Sequence, residues 1–89
     1  MKNKVVIITG ASSGIGKACA SEFFKRGARL VLVARTESKL IELVNSIKSL
    51  GGQAMYIVAD VSNEADCSHM INKAIDAYGS IDVLINNAG

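Results

Sequence analysis

Four short apolar runs alternate along the chain with three longer segments in which apolar residues recur every three or four positions. Residues 5–8 are a continuous Val-Val-Ile-Ile run, the pattern of a strand buried on both faces. Residues 10–16 follow as a loop of small residues. Ile15, Ala18, Cys19 and Phe23 then fall at i, i+3, i+4 and i+8, which predicts one apolar helical face, and Gly27 stands where a helix-ending glycine belongs. Residues 30–33 predict a second strand. Thr36 can cap the next helix, whose buried stripe is Leu40, Val44 and Ile47, widened by Ile41, Leu43 and Leu50, and Gly51-Gly52 ends it. Residues 55–59 predict a third strand. Ser62 can cap a third helix, with Glu64 and Asp66 close to its positive end. Cys67, Met70, Ile71, Ala74 and Tyr78 form its apolar face, Gly79 closes it, and residues 82–85 predict a fourth strand.

The order β-α-β-α-β-α-β, with short connections and no linker, predicts an α/β domain: a parallel sheet, doubly wound, with helices on both faces. With 89 residues there is room for one domain only. A hydrophobic content of 49% is too high for a disordered chain, and a net charge of +2 is too small for a solvated tail. The ten Lys and Arg residues are scattered, and two Phe and two Tyr make no stacking platform, so nucleic acid is not the expected partner. No run approaches the ~20 apolar residues that cross a bilayer. Nor does the short apolar run after the N-terminal lysines read as a secretory leader, so the expected location is cytoplasmic, without a membrane partner. Cys19 and Cys67 are expected as buried free thiols. His69 lies close to Cys67, but no second pair completes a four-ligand set, and no metal is expected.

The candidate chemistry begins at Gly10-Ala11-Ser12-Ser13-Gly14-Ile15-Gly16, between the first strand and the first helix. Glycines there let the backbone approach a pyrophosphate, whose charge is met by N–H groups at the helix N-terminus, and Ser12 and Ser13 add hydroxyls. Gly16-Lys17 hints at a P-loop. However, Ala11 replaces its first glycine and Ala18 the hydroxyl that would hold Mg²⁺, which excludes a P-loop NTPase. The spacing is G-x-x-x-G-x-G rather than G-x-G-x-x-G. Alone, such a loop also fits a tight turn with no ligand.

Thr9-Gly10-Ala11-Ser12-Ser13-Gly14-Ile15-Gly16 resembles the TGxxxGxG loop of the short-chain dehydrogenase/reductase family. Asp60-Val61 and Asn86-Asn87-Ala88-Gly89 resemble two further motifs of that family, in its order and at the ends of the predicted strands. The resemblance covers the whole chain. It implies a Rossmann-type sheet with strand order 3-2-1-4, residues 1–89 being the N-terminal part of one NAD(P)-binding domain that stops after the fourth strand. It also implies that Gly10, Ser12, Ser13, Gly14, Ile15 and Gly16 hold the cofactor's phosphates and adjoining ribose, that Asp60 and Val61 lie against the adenine, and that Asn87 lies beside the adenosine ribose. Asn86 can serve sheet stability alone.

Cofactor choice turns on the end of the second strand. An acid there favours NAD, whereas an Arg accommodates the 2′-phosphate of NADP. Ala34 occupies the acidic position and Arg35 follows, so NADP(H) is expected over NAD(H). A plainer reading of Arg35 is a solvated strand end. The family's catalytic Ser, Tyr and Lys lie beyond its NNAG motif, and neither Tyr56 nor Tyr78 has a Lys four residues on, so no catalytic residue is expected here. The resemblance therefore implies the cofactor-binding part of an oxidoreductase acting on a carbonyl or alcohol, homo-oligomeric at full length and inactive as these residues alone. The alternative is a stand-alone, non-catalytic dinucleotide-binding or sensing module.

Overall fold

The computed structural model describes residues 2–87. Along the chain run β1 (Val5–Thr9), α1 (Gly14–Lys25), β2 (Arg29–Ala34), α2 (Glu37–Ser49), β3 (Gln53–Val58), α3 (Glu64–Tyr78) and β4 (Val83–Asn86). The strands form one parallel sheet in the order β3-β2-β1-β4, with helices on both faces. Strand ends shift slightly from expectation. β3 begins at Gln53 because its ladder with β2 starts at Arg29↔Gln53, and backbone pairing takes no account of side-chain polarity.

The unbroken apolar run of β1 has a simple cause. Val6 and Ile8 point into a core shared with Leu30, Leu32, Leu40, Val44 and Ile47, under α1 and α2. Val5 and Ile7 point the other way, toward Val31, Val33, Ile57, Met70 and Ala74, under α3. Period-two alternation thus places every β1 side chain in one of two interiors. Each buried Val or Ile contributes about 1.5–3 kcal/mol relative to exposure.

The α2 stripe is as expected: Leu40, Val44 and Ile47 are buried, while Ile41 and Leu50 lie outside it. The α1 face is not. Ile15 is 70% exposed and Ala18 is exposed as well. The helix instead presents Gly16 and Ala20 to the sheet, with Cys19, Phe23 and Phe24 packing alongside. The cause is Gly16, which lies so close to the backbone of Gly10 and Ala11 that it fixes the roll of the helix. Both cysteines are free, as expected, but half-buried rather than buried. Tyr78 of α3 packs against the second core, where burial pushes its phenol above the ordinary range against the opposing effect of the Arg29 guanidinium.

β4 is clamped to β1 at the start of both strands. Asp82 donates its N–H to the Val5 carbonyl at 2.9 Å and accepts the Val5 N–H on Oδ2 at 2.8 Å. Val83 and Ile85 pack on the α1–α2 side, whereas Leu84, on the opposite face, is 51% exposed. The register is fixed, so the carboxyl ends of β1 and β4 emerge side by side.

Candidate functional site

Outside the carboxyl ends of the strands lies a cleft of about 640 Å³. It is lined by the loop after β1 (Gly10, Ser12, Ser13), the end of β2 and start of α2 (Ala34, Arg35, Thr36, Lys39), the loop after β3 (Asp60, Val61, Ser62) and the end of β4 (Asn86, Asn87). β1 has β2 on one side and β4 on the other, so the chain reverses its winding direction there, the place where open α/β sheets bind ligands. Of the expected residues, Gly10, Ser12, Ser13, Arg35, Asp60, Val61 and Asn87 line the cleft. Gly14, Ile15 and Gly16 do not; they form the first turn of α1. Ala88 and Gly89 lie outside the described residues.

The loop after β1 is held from within. Gly10 turns the chain at φ +63°. Ser13, the N-cap of α1, donates its hydroxyl to the Gly10 carbonyl at 2.9 Å and accepts the Gly16 N–H at 3.0 Å. It also accepts from Asn87 Nδ2 at 3.0 Å, across the gap between β1 and β4. One donor and two acceptor sites complete a hydroxyl's capacity, so Ser13 shapes the loop and has no bond left for a ligand. Among the described residues Ser12 has no such partners, and it is the loop's available hydroxyl. The N–H groups of Gly14 and Ile15 have no acceptor within their own helix.

Thr9 explains how β4 is tied to this loop. It is the one polar side chain buried in the core among the described residues, at 2% exposure. Its hydroxyl donates to Asn86 Oδ1 at 3.0 Å and accepts the Asn87 N–H at 3.1 Å. Thr9→Val preserves shape but strips both bonds. We expect it to lower unfolding free energy by about 1–3 kcal/mol, as read by urea denaturation.

Across the cleft, Arg35 and Lys39 contribute two cations, and neither is in an ion pair among the described residues. Sequence reasoning missed Lys39. Its only signal was its place three residues after Thr36, in the first turn of α2. Thr36 is the N-cap of that helix, as expected, but its side chain makes no capping bond. Glu37 does not line the cleft; the Tyr56 hydroxyl donates to its carboxylate at 3.3 Å. Among the described residues, the one carboxylate side chain lining the cleft belongs to Asp60. Its Oδ1 accepts the Ser62 hydroxyl at 2.6 Å and the Ser62 N–H at 3.0 Å. These bonds hold the Asp60 carboxyl below the ordinary carboxylate range, against desolvation, with the Arg35 charge adding a smaller push in the same direction as the bonds. Ser62 was expected to cap α3. The cap is Asn63 instead: its Oδ1 accepts the Asp66 N–H at 3.1 Å, and the Ser62 hydroxyl turns back to Asp60.

The donor set fits a dinucleotide. One wall offers the Ser12 hydroxyl, next to the first turn of α1, whose leading N–H groups have no acceptor within the helix. The opposite wall offers two cations and a fixed carboxylate. Asn87 commits its amide nitrogen to the loop, which leaves Oδ1 as an acceptor for a ribose hydroxyl.

Comparison with known proteins gives the same picture. The short chain dehydrogenase family model matches residues 4–89. An 11-beta-hydroxysteroid dehydrogenase of Pinus massoniana is 50% identical over 90 residues, covering 100% of this chain and 25% of the relative. A metagenomic short-chain oxidoreductase solved in complex with NADP superposes with a TM-score of 0.93 at 38% identity, over 100% of this chain and 40% of that one. A short chain dehydrogenase/reductase of Burkholderia phymatum, solved in complex with NAD, superposes with a TM-score of 0.90 at 34% identity, over 93% of this chain and 30% of that one. The chain spans 23–36% of the length of the first curated relatives it matches.

Proposed function

Because this chain belongs to the short-chain dehydrogenase family, we propose that its cleft binds NADP(H) in preference to NAD(H), as the cofactor-binding part of an oxidoreductase acting on a carbonyl or alcohol. The observation that carries this reading is the convergence of the glycine loop, Arg35, Lys39, Asp60 and Asn87 on one cleft at the carboxyl ends of the strands. Relatives named as hydroxysteroid dehydrogenases and neighbours solved with NAD and with NADP support it.

When bound, the dinucleotide supplies hydride exchange at C4 of its nicotinamide. The chain's own residues bind and orient. Gly10, Ser12 and the N–H groups of Gly14 and Ile15 meet the pyrophosphate, with Ser13 and Gly16 holding the loop in shape. Val61 and Asp60 meet the adenine, and Asn87 the ribose beside it. Arg35 and Lys39 meet the 2′-phosphate, and β2 ends in Ala34, where no carboxylate opposes that charge. The proposal includes a cytoplasmic location and a homo-oligomeric full-length protein, and these residues alone turn over no carbonyl.

Titration of the chain with NADPH and NADH tests the cofactor assignment. NADPH is expected to bind at least roughly ten-fold tighter, the worth of one charge-assisted contact. Arg35→Ala removes most of that margin and leaves NADH affinity unchanged. Equal affinities in the wild type would overturn the preference; absence of binding to either would overturn the dinucleotide reading itself.

A further inference from the structure

We propose that Asp66 is the positioning residue of the adenine pocket: from the first turn of α3 it fixes the backbone of Asp60 and thereby aims the carboxylate that meets the adenine amino group, resting on the dinucleotide-binding reading above. The geometry departs from the usual reciprocal cap. In a capping box, the residue at the third helical position returns its carboxylate to the N-cap N–H. Here the N-cap Asn63 does its usual part and accepts the Asp66 N–H at 3.1 Å. The Asn63 N–H, however, is already given to the Asp60 carbonyl at 3.0 Å. Asp66 Oδ2 therefore reaches three residues further back and accepts the Asp60 N–H at 2.8 Å. A carboxylate bonded to a backbone N–H is short and strong among hydrogen bonds.

Asp60 is consequently held at three points. Asp66 takes its N–H, Asn63 binds its carbonyl, and Ser62 bonds Oδ1 twice. No described residue bonds Oδ2. One oxygen is locked into the loop and the other is left as an acceptor, the requirement for meeting an exocyclic amine. The next residue is steadied from the same turn, since Cys67 Sγ donates to the Val61 carbonyl at 3.1 Å. Asp66 itself does not line the cleft, so whatever it does for a ligand passes through Asp60.

The discriminating probe is nicotinamide hypoxanthine dinucleotide phosphate, which carries a carbonyl where adenine carries its amino group. The ratio of its dissociation constant to that of NADPH, measured by titration of the chain, reports recognition of the C6 and N1 edge of the base, where the Asp60 carboxylate is placed. Wild type is expected to favour NADPH roughly ten-fold. Asp66→Ala should abolish that ratio, and Asp66→Asn, which keeps an acceptor for the Asp60 N–H, should retain it. If Asp66→Ala does not fold, Asp66→Ser is read in its place: it can still serve a helix start but is too short to reach residue 60. A merely structural role would weaken both dinucleotides equally and keep the ratio, and that result overturns the proposal. Equal binding of both by wild type overturns it too, while leaving the dinucleotide reading intact. Binding of neither overturns that reading and this one with it.

Discussion

Gly16→Ala is expected to lower the unfolding free energy by about 1–3 kcal/mol and to weaken dinucleotide binding with it. A Cβ at this position would overlap the Gly10 carbonyl oxygen and stand 2.7 Å from Ala11 Cα. Both are backbone atoms, so no flexible side-chain tip can move aside. The Gly10 carbonyl is also the acceptor for the Ser13 N–H at 3.1 Å and the Ser13 hydroxyl at 2.9 Å. Relief of the clash must therefore push α1 off the sheet or break the bonds that shape the loop. The intrinsic gain of Ala over Gly inside a helix is only about 1 kcal/mol and acts in the opposite direction. Gly14→Ala is the control. Nothing lies within 4 Å of a Cβ built there, so its stability should match wild type or rise by up to about 1 kcal/mol. Urea denaturation of the two variants separates the roles. A Gly16→Ala protein as stable as wild type would show that close packing of α1 does not set the loop.

The same contact explains where the sequence was and was not legible. Continuous β-branched runs identified the strands, because strands covered on both faces need apolar residues at every position. The stripe of α2 was equally plain, since Leu40, Val44 and Ile47 are its largest periodic side chains. α1 misled because its docking face is built on Gly16 and Ala20, and a hydrophobicity pattern gives glycine no weight. Ile15 and Ala18 carried the visible period and turned outward. The cap of α3 was ambiguous for another reason. Asp60, Ser62 and Asn63 can all accept a backbone N–H, and only their mutual bonds decide which one caps the helix.

The cleft divides along the same line. Gly10, Arg35, Asp60 and Asn87 were legible because they sit at strand ends in recognisable motifs. Lys39 was not. On a helix surface a lysine normally just meets solvent, and only the placement of the first turn of α2 beside the end of β2 brings this one into the cleft. Asp66 looked like an acid favouring a helix N-terminus. Its bond to residue 60 depends on a loop path that spacing alone does not fix.

Ala34→Asp is expected to reverse the cofactor preference. Ala34 is the last residue of β2, 7% exposed, and lines the cleft beside Arg35. A carboxylate there would stand against the 2′-phosphate in the proposed pose and would draw the Arg35 guanidinium to itself. Unit charges of like sign ~6–8 Å apart, at an effective dielectric of about 20, repel by roughly 2–3 kcal/mol. NADPH affinity should therefore fall on the order of 30- to 150-fold. NADH carries a hydroxyl at that position, which can donate to the new carboxylate, so its affinity should rise several-fold, by the net worth of one hydrogen bond of about 1 kcal/mol. Salt gives a second readout. The wild-type margin for NADPH comes from charge and should shrink as ionic strength rises; in the variant, salt should likewise weaken the repulsion of the 2′-phosphate and narrow the NADH preference, while the NADH affinity itself, resting on a hydrogen bond, should change little. Lys39→Ala separates the cations, lowering NADPH affinity without raising that for NADH. If wild type shows no margin and Ala34→Asp moves neither affinity, the end of β2 does not select the cofactor, and Arg35 is a solvated strand end.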